Sequence, residues 1–217
     1  MKSSIARKLA MALSAFFLLF FLLQHLTINM MSVFSADLFN ETSHFMGVNF
    51  LVQFLLQPVL IFAVVFHFVM GFILELKNRA SRDVQYAMFK GETNSSWVSR
   101  NMIISGLAIL LFIGLHFYDF WLPEIDYKYI SINPEDPTRY FGELQHKFTD
   151  VWRVILYCLA FVFLGLHLNH GFQSAFQSVG FRNRYTPAIG KLGTAYSVLI
   201  PLGFIFIALF HYFNQAH

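Results

Sequence analysis

The sequence predicts an all-α integral membrane protein with five transmembrane helices, and three observations carry that reading. First, the 217 residues are 57% hydrophobic and only 12% charged, whereas a soluble domain carries about 25% charged residues. Mean hydropathy is +0.56. Second, five apolar runs stand near Leu9–Met31, Phe50–Leu76, Asn101–Trp121, Val151–Ser178 and Leu192–Phe213. Each is long enough to cross a hydrocarbon core of about 30 Å, which takes roughly 20 helical residues. They are continuous rather than alternating, which favours helices over barrel strands. Third, loop charge is asymmetric. Lys2, Arg7, Lys8, Lys77, Arg79, Arg82, Lys90, Arg100, Arg182, Arg184 and Lys191 flank one side of the spans, while Glu124, Asp126, Glu135, Asp136, Glu143 and Asp150 lie on the other.

The first run follows basic residues as a signal peptide would, but its apolar length and the lack of a small-residue cleavage site favour a retained helix. The basic side is expected to be cytoplasmic, with the N-terminus inside and the C-terminus outside. Residues 1–217 form a single membrane domain in this reading. The acidic segment around Asn133–Pro137 is long enough to fold over the outer face. A formal net charge of +3, with basic residues in short patches, speaks against a nucleic-acid partner. One cysteine, Cys158, excludes disulfides, a thiolate zinc site and a cysteine-ligated iron–sulfur cluster.

His25, His67, His116 and His167 sit one on each of the first four spans. A polar side chain in hydrocarbon is costly and marks a functional site by default; the plainer alternative is an interhelical hydrogen bond. Depth separates the two. His25 and His116 both lie about 24 Å from the inner ends of their helices, near the outer surface. His67 and His167 lie about 26 Å from the outer ends of theirs, near the inner surface. Two facing imidazoles are what a bis-histidine b-type haem requires, and helix bundles are a usual place for one. His67 and Gly71, like His167 and Gly171, are spaced H-x-x-x-G on one helix face, where a missing side chain admits a ring edge. The expected centre is a haem-binding bundle with two haem b groups, one held by His25 and His116, the other by His67 and His167. His170, one turn from His167, is the alternative ligand. His44, His146 and His211 fall at the outer edge and are expected to be solvated. Serines and threonines in the spans read as helix packing.

With these residues the chain resembles the di-haem cytochrome b membrane anchor, of the single-polypeptide five-helix type, of succinate dehydrogenase and fumarate reductase (succinate:quinone oxidoreductase). The resemblance rests on Phe21-Leu22-Leu23-Gln24-His25-Leu26, His44-Phe45-Met46, His67-x-x-x-Gly71, Gly114-Leu115-His116 and His167-x-x-x-Gly171. It covers essentially the whole chain. It implies an electron-transfer anchor in a bacterial cytoplasmic membrane, with flavoprotein and iron–sulfur subunits as partners beside membrane lipid. Homodimerisation of that complex is left open. The flavoprotein would oxidise succinate, so this chain holds no succinate site. Electrons would pass from the iron–sulfur subunit through the proximal haem (His67, His167) and the distal haem (His25, His116) to a quinone, expected to be menaquinone. Some family members carry a glutamate two residues before the fourth ligand; here that position is Gly165, and the proton route it serves is not carried over.

Trp97, Arg182 and Arg184, on the basic loops, are candidates for contacting the iron–sulfur subunit or haem propionates. Quinone exchange is expected at the outer face, where Glu41, His44 and Gln53 gather with Gln57, Tyr118 and Asp119. His44 is the preferred proton handler, since imidazole titrates closest to working pH. Gln24 and Asn29 are candidates for orienting an imidazole or a quinone carbonyl. Two other readings stand beside this one. The chain could anchor another quinone-linked dehydrogenase or reductase, or be a proton-coupled transporter using histidine relays, though no inverted repeat supports the transporter.

Overall fold

In hydrocarbon each backbone N–H and C=O must find its partner inside the chain, which makes long uninterrupted helices the default. The computed structural model of the protein describes residues 4–80, 102–181 and 183–215. Its helices are α1 (Ser4–Phe34), α2 (Ala36–Val48), α3 (Gln57–Ala80), α4 (Met102–His116), α5 (Arg139–Lys147), α6 (Val151–Ser178) and α7 (Thr186–Phe213). Beyond His116, α4 continues through single turns to Ile130, and no strand occurs among the described residues. Five helical segments are long and apolar enough to span a membrane: Ile5–Phe34, Val52–Lys77, Met102–Ile130, Val151–Ser178 and Thr186–Phe213. The chain is a multi-pass, five-helix membrane bundle. Large apolar side chains such as Leu13, Phe20, Phe62, Leu111, Trp152 and Leu199 point outward, as a lipid-facing surface requires and a water-facing one rarely tolerates.

The boundaries differ from the apolar runs for local reasons. The third span outlasts Trp121 because helical hydrogen bonding persists into the polar residues after it. The fifth begins at Thr186 rather than Leu192, with Pro187 in its first turn, where a missing N–H costs nothing. Two of the three wide π-helical turns among the described residues, Val52–Leu56 and Phe117–Trp121 but not Asp126–Ile130, end two residues before a proline, Pro58 or Pro123. A proline ring clashes with the carbonyl four residues back and donates nothing to it; widening the preceding turn relieves both problems. Pro201 sits inside α7 and is accommodated differently. There the carbonyl freed on Ser197 faces Gly165 of α6, where a Cβ would lie 3.1 Å from that oxygen. Only glycine lets the two backbones approach so closely.

Helices α1, α3, α4 and α6 form a ring in which each packs on its two neighbours, and α7 lies against α1 and α6. Among the described residues the diagonal pairs, α1 with α4 and α3 with α6, pack more weakly than the neighbours around the ring. The tightest packing joins α6 to α7, where Phe161 and Phe204 stack at 5.2 Å among buried Tyr157, Ile200, Ile207 and Ala208. Tyr196 on α7 donates to the Leu19 carbonyl of α1 at 2.5 Å. His211 corrects the expectation of a solvated edge residue. It is fully buried, and its Nε2 lies 2.8 Å from the Ser32 hydroxyl, tying α7 to α1.

The end of the bundle where α1 finishes, termed the far end, is capped by α2 and α5, two helices that the apolar pattern does not reveal. Ser35 caps α2 by accepting from the Leu38 amide at 3.2 Å. Asn40 accepts from the Phe141 amide at 2.7 Å, satisfying a first-turn N–H of α5. Gly193 of α7 marks how closely α6 approaches, since a Cβ there would come within 2.7 Å of the Phe172 ring. Gly193→Ala should therefore destabilise the purified protein by about 1–3 kcal/mol, the usual penalty of overpacking. Gly190→Ala, one turn earlier with open space around it, should leave the thermal midpoint unchanged or raised; unfolding of the two variants in one detergent checks the contrast.

Candidate functional site

The two diagonals of the ring carry the four span histidines. His25 of α1 faces His116 of α4, with ring centres 5.7 Å apart and planes at 85°. His67 of α3 faces His167 of α6 at 6.4 Å and 68°. The depth pairing read from the sequence is thus the pairing of the rings, and they meet where the helix backbones stay apart. All four side chains are only half-buried although they point into the bundle. A metal–imidazole bond is about 2.0–2.1 Å, and the ring centre lies roughly 1.1 Å behind the nitrogen, so two axial imidazoles on one metal have centres roughly 6.3 Å apart. The His67–His167 pair already spans that distance; the other pair is slightly closer.

The surroundings of the two pairs differ. His67 Nδ1 lies 3.1 Å from the Ser14 hydroxyl, and His167 Nδ1 lies 3.3 Å from that of Ser105. Gly71 and Gly171, one turn beyond these histidines, face methionine methyls. A Cβ at Gly71 would be 3.3 Å from Met11 Cε, and one at Gly171 3.4 Å from Met102 Cε. A methionine has three rotatable bonds and moves easily, so each glycine notch can take either a methyl or the edge of a flat ring. The His25–His116 pair is instead packed in aromatic rings. Phe21 stacks on His25 at 5.4 Å, Phe112 on His116 at 5.8 Å, and Phe204 and Phe120 close the sides. His116 Nδ1 is buried without a hydrogen-bond partner among the described residues.

The other candidates divide. His170 is half-buried, and the ring facing His67 is that of His167. Asn29 donates to the His25 carbonyl at 2.8 Å; its 3.5 Å approach to His25 Nδ1 is too long to hold the ring. Gln24 is exposed and corrects its assignment as an imidazole partner, because consecutive helix residues point about 100° apart. Arg184 is exposed, donates to the Tyr185 hydroxyl at 2.7 Å and covers that ring. Trp97 and Arg182 lie outside the described residues.

At the far end a cleft of about 280 Å³ is lined by Gln53, Tyr127, Lys128, Glu135, Arg139 and Tyr140, among others. The acidic segment does fold over this end. Glu135 reaches His44 Nε2 at 3.6 Å, and Gln53 Oε1 accepts from the Tyr129 hydroxyl at 2.9 Å. Glu41 is exposed on α2 and does not line the cleft. Asp119 is corrected as a polar candidate for quinone exchange at the outer face, because its carboxylate is buried and already paired. It is 1% exposed, ion-paired with Arg153 and accepts from the Tyr157 hydroxyl at 2.7 Å. Tyr157 in turn lies against the His116 ring at 6.3 Å.

Sequence reasoning misses Arg153, Ser14 and Ser105, since it assigns span serines to packing. A signal for the serines was present: each stands eleven residues before a ligand candidate, Ser14 before His25 and Ser105 before His116. Among the described residues no group of three or more His, Cys, Asp or Glu could hold a bare metal ion. Each pair offers two imidazoles, so a metal bound there would bring its remaining ligands with it. No protein-family model, curated protein or solved structure matches the chain.

Arg139 fixes the cleft. Burial opposes its charge, but hydrogen bonds to Glu124 and Glu143 outweigh that and hold its pKa above the ordinary value. Its guanidinium also lies over the Tyr127 and Tyr140 rings. Arg139→Ala removes its charge-assisted hydrogen bonds to Glu124, which keeps Lys128, and to Glu143, a loss of about 2 kcal/mol. Limited proteolysis of the 131–138 segment should then speed up at least tenfold, because each 1.4 kcal/mol of easier local opening is about a factor of ten.

Proposed function

We propose that the chain is the membrane-anchor and electron-transfer subunit of a succinate:quinone oxidoreductase, binding one b-type haem at each histidine pair. The observation that carries the haem reading is the pairing itself: two imidazole pairs on the two diagonals of one helix ring, with ring centres 5.7 Å and 6.4 Å apart. The glycine notches beside His67 and His167 and the aromatic walls around His25 and His116 suit a flat macrocycle. A haem, if bound, would supply the one-electron chemistry; His25, His116, His67 and His167 would hold it, at a fixed depth and in a water-poor setting. The assignment to succinate and fumarate, and the bacterial cytoplasmic membrane with the N-terminus inside, rest on the motif resemblance and on loop charge.

In this reading His67 and His167 serve the end nearer the iron–sulfur subunit, and His25 and His116 the end nearer quinone. The far-end cleft suits quinone exchange. Gln53 lines it, and His44, held against Glu135 and the Tyr140 ring at 6.2 Å, stands at its edge as a proton-exchanging group. Glu41 contributes charge to the approach rather than a contact. Gly165, closed against Ser197, leaves no room for the glutamate some relatives of the resembled type place there, so protons take another path.

A reduced-minus-oxidised spectrum of the purified chain tests the haem reading, and absence of a b-type band would end it. We expect His67→Ala and His167→Ala each to lose the same haem, and His25→Ala and His116→Ala each to lose the other, halving haem content in every case. Ligands crossing between the sets would overturn the pairing. Co-purification followed by succinate–quinone and quinol–fumarate assays tests the partners. In the intact complex, His44→Ala or Gln53→Ala should lower quinone turnover at least tenfold with both haems retained, whereas Glu41→Ala should have a smaller effect.

A further inference from the structure

We propose that Ser14 and Ser105 are positioning residues that fix the tautomer of His67 and His167, so that each presents an unprotonated Nε2 to the space between them. The inference rests on the haem reading for its purpose, but its geometry stands on its own. A serine hydroxyl has one proton. Ser14 gives that proton to the Met11 carbonyl at 2.8 Å, and Ser105 gives its proton to the Met102 carbonyl at 3.0 Å. Each hydroxyl can then meet the neighbouring imidazole only as an acceptor. The proton between them belongs to the ring, so His67 Nδ1–H donates to Ser14 and His167 Nδ1–H donates to Ser105.

A neutral imidazole protonated on Nδ1 carries its lone pair on Nε2. Neither Nε2 makes a hydrogen bond among the described residues. The free lone pairs therefore belong to the two rings whose centres are 6.4 Å apart. Holding the second ring nitrogen is how proteins orient a metal-binding histidine and raise its basicity. The backbone bond alone would satisfy each serine, so packing gives no reason for the imidazole contact.

The arrangement occurs twice, and the repetition argues against accident. Met11, Ser14, Phe21 and His25 on α1 have the same spacing as Met102, Ser105, Phe112 and His116 on α4. Likewise His67-x-x-x-Gly71-Phe72 on α3 matches His167-x-x-x-Gly171-Phe172 on α6. Within each helix pair the serine meets the next helix's histidine, the methionine meets its glycine, and the phenylalanine stacks on its own helix's histidine. The two halves are copies of one device. Among the described residues only the His67–His167 pair receives the hydroxyl brace, and His116 Nδ1 has no partner.

Two measurements test this. In the haem-free full-length chain labelled with ¹⁵N-histidine, His67 and His167 should appear as Nδ1–H tautomers, assigned by loss of each signal on substitution. Ser14→Ala and Ser105→Ala should redistribute them, and Ser14→Thr and Ser105→Thr should restore them. In the haem-loaded protein, a weaker brace lowers ligand basicity and with it the preference for ferric iron. A tenfold loss of that preference raises the one-electron midpoint by about 59 mV. Redox titration of the Ser14→Ala and Ser105→Ala proteins should show such a rise in the haem lost in His67→Ala, with the other haem unmoved. Ser178→Ala, exposed on the same helix as His167, should move neither.

Nε2–H tautomers in the labelled chain overturn the inference whether or not haem binds. So do unchanged potentials in both alanine variants with both haems present. Loss of both haems and of the fold in the alanine and threonine variants alike would reduce the serines to packing and overturn it too. A wild-type chain that shows the expected tautomers but no haem band would instead defeat the haem reading and leave the brace standing.

Discussion

Hydrocarbon offers no hydrogen bonds, so any polar group that the helical ladder does not satisfy must be matched by another part of the same protein. The rest of the structure follows from that constraint. The carbonyls that Pro58 and Pro123 would strand are absorbed in wide turns, and the Ser197 carbonyl that Pro201 frees faces Gly165 of the next helix at close range. His211 is held by Ser32, Tyr196 by the Leu19 carbonyl, and Asp119 by Arg153 and Tyr157. Most of these contacts join α7 to its neighbours or tie the far end together. They make a rigid flank against which the ring of four helices is held.

Within that ring the same constraint is met differently. The four imidazoles are incompletely satisfied, facing one another in pairs across diagonals that the helices leave open. A bundle built only for stability would fill that space with leucine or phenylalanine. Leaving ring nitrogens without partners there is expensive unless a ligand uses them. The aromatic wall around His25 and His116 and the serine brace on His67 and His167 suit two sites of unequal character. A braced, more basic ligand pair favours the oxidised metal, and an unbraced pair favours it less. Two centres of different potential on one axis would give electron flow a direction.

The far end adds polar chemistry outside the apolar belt. Arg139, clamped by two carboxylates and two tyrosine rings, holds α5 and the acidic segment over the bundle. The cleft beneath it has both a hydrogen-bonding floor at Gln53 and an imidazole at its edge. Its proximity to the His25–His116 pair is a matter of shared end rather than shared side chains. The buried Asp119–Arg153–Tyr157 cluster lies on the histidine side, with Tyr157 against the His116 ring.

The sequence by itself determined the class, the spans and the histidine pairs. Span length follows from membrane thickness and residue depth from the helix rise, both one-dimensional quantities that survive without knowing which helices touch. Val151–Ser178 emerges with the same bounds in sequence and structure for that reason. Side-chain partners are different. Whether His211 is solvated or buried, whether Asp119 is open to a quinone or closed on an arginine, and whether Ser14 packs or accepts from His67 depend on how helices rotate and cross. Those angles are decided by close packing between distant segments, such as Gly193 on Phe172 and Gly203 on Leu26. The capping helices α2 and α5 escaped notice because short polar helices lack an apolar run to announce them; they exist through contacts such as Asn40 with Phe141. The spacing shared by α1 and α4 was in the sequence throughout, but only the tertiary structure, by setting each serine against the next helix's imidazole, gave the repeat a chemical meaning.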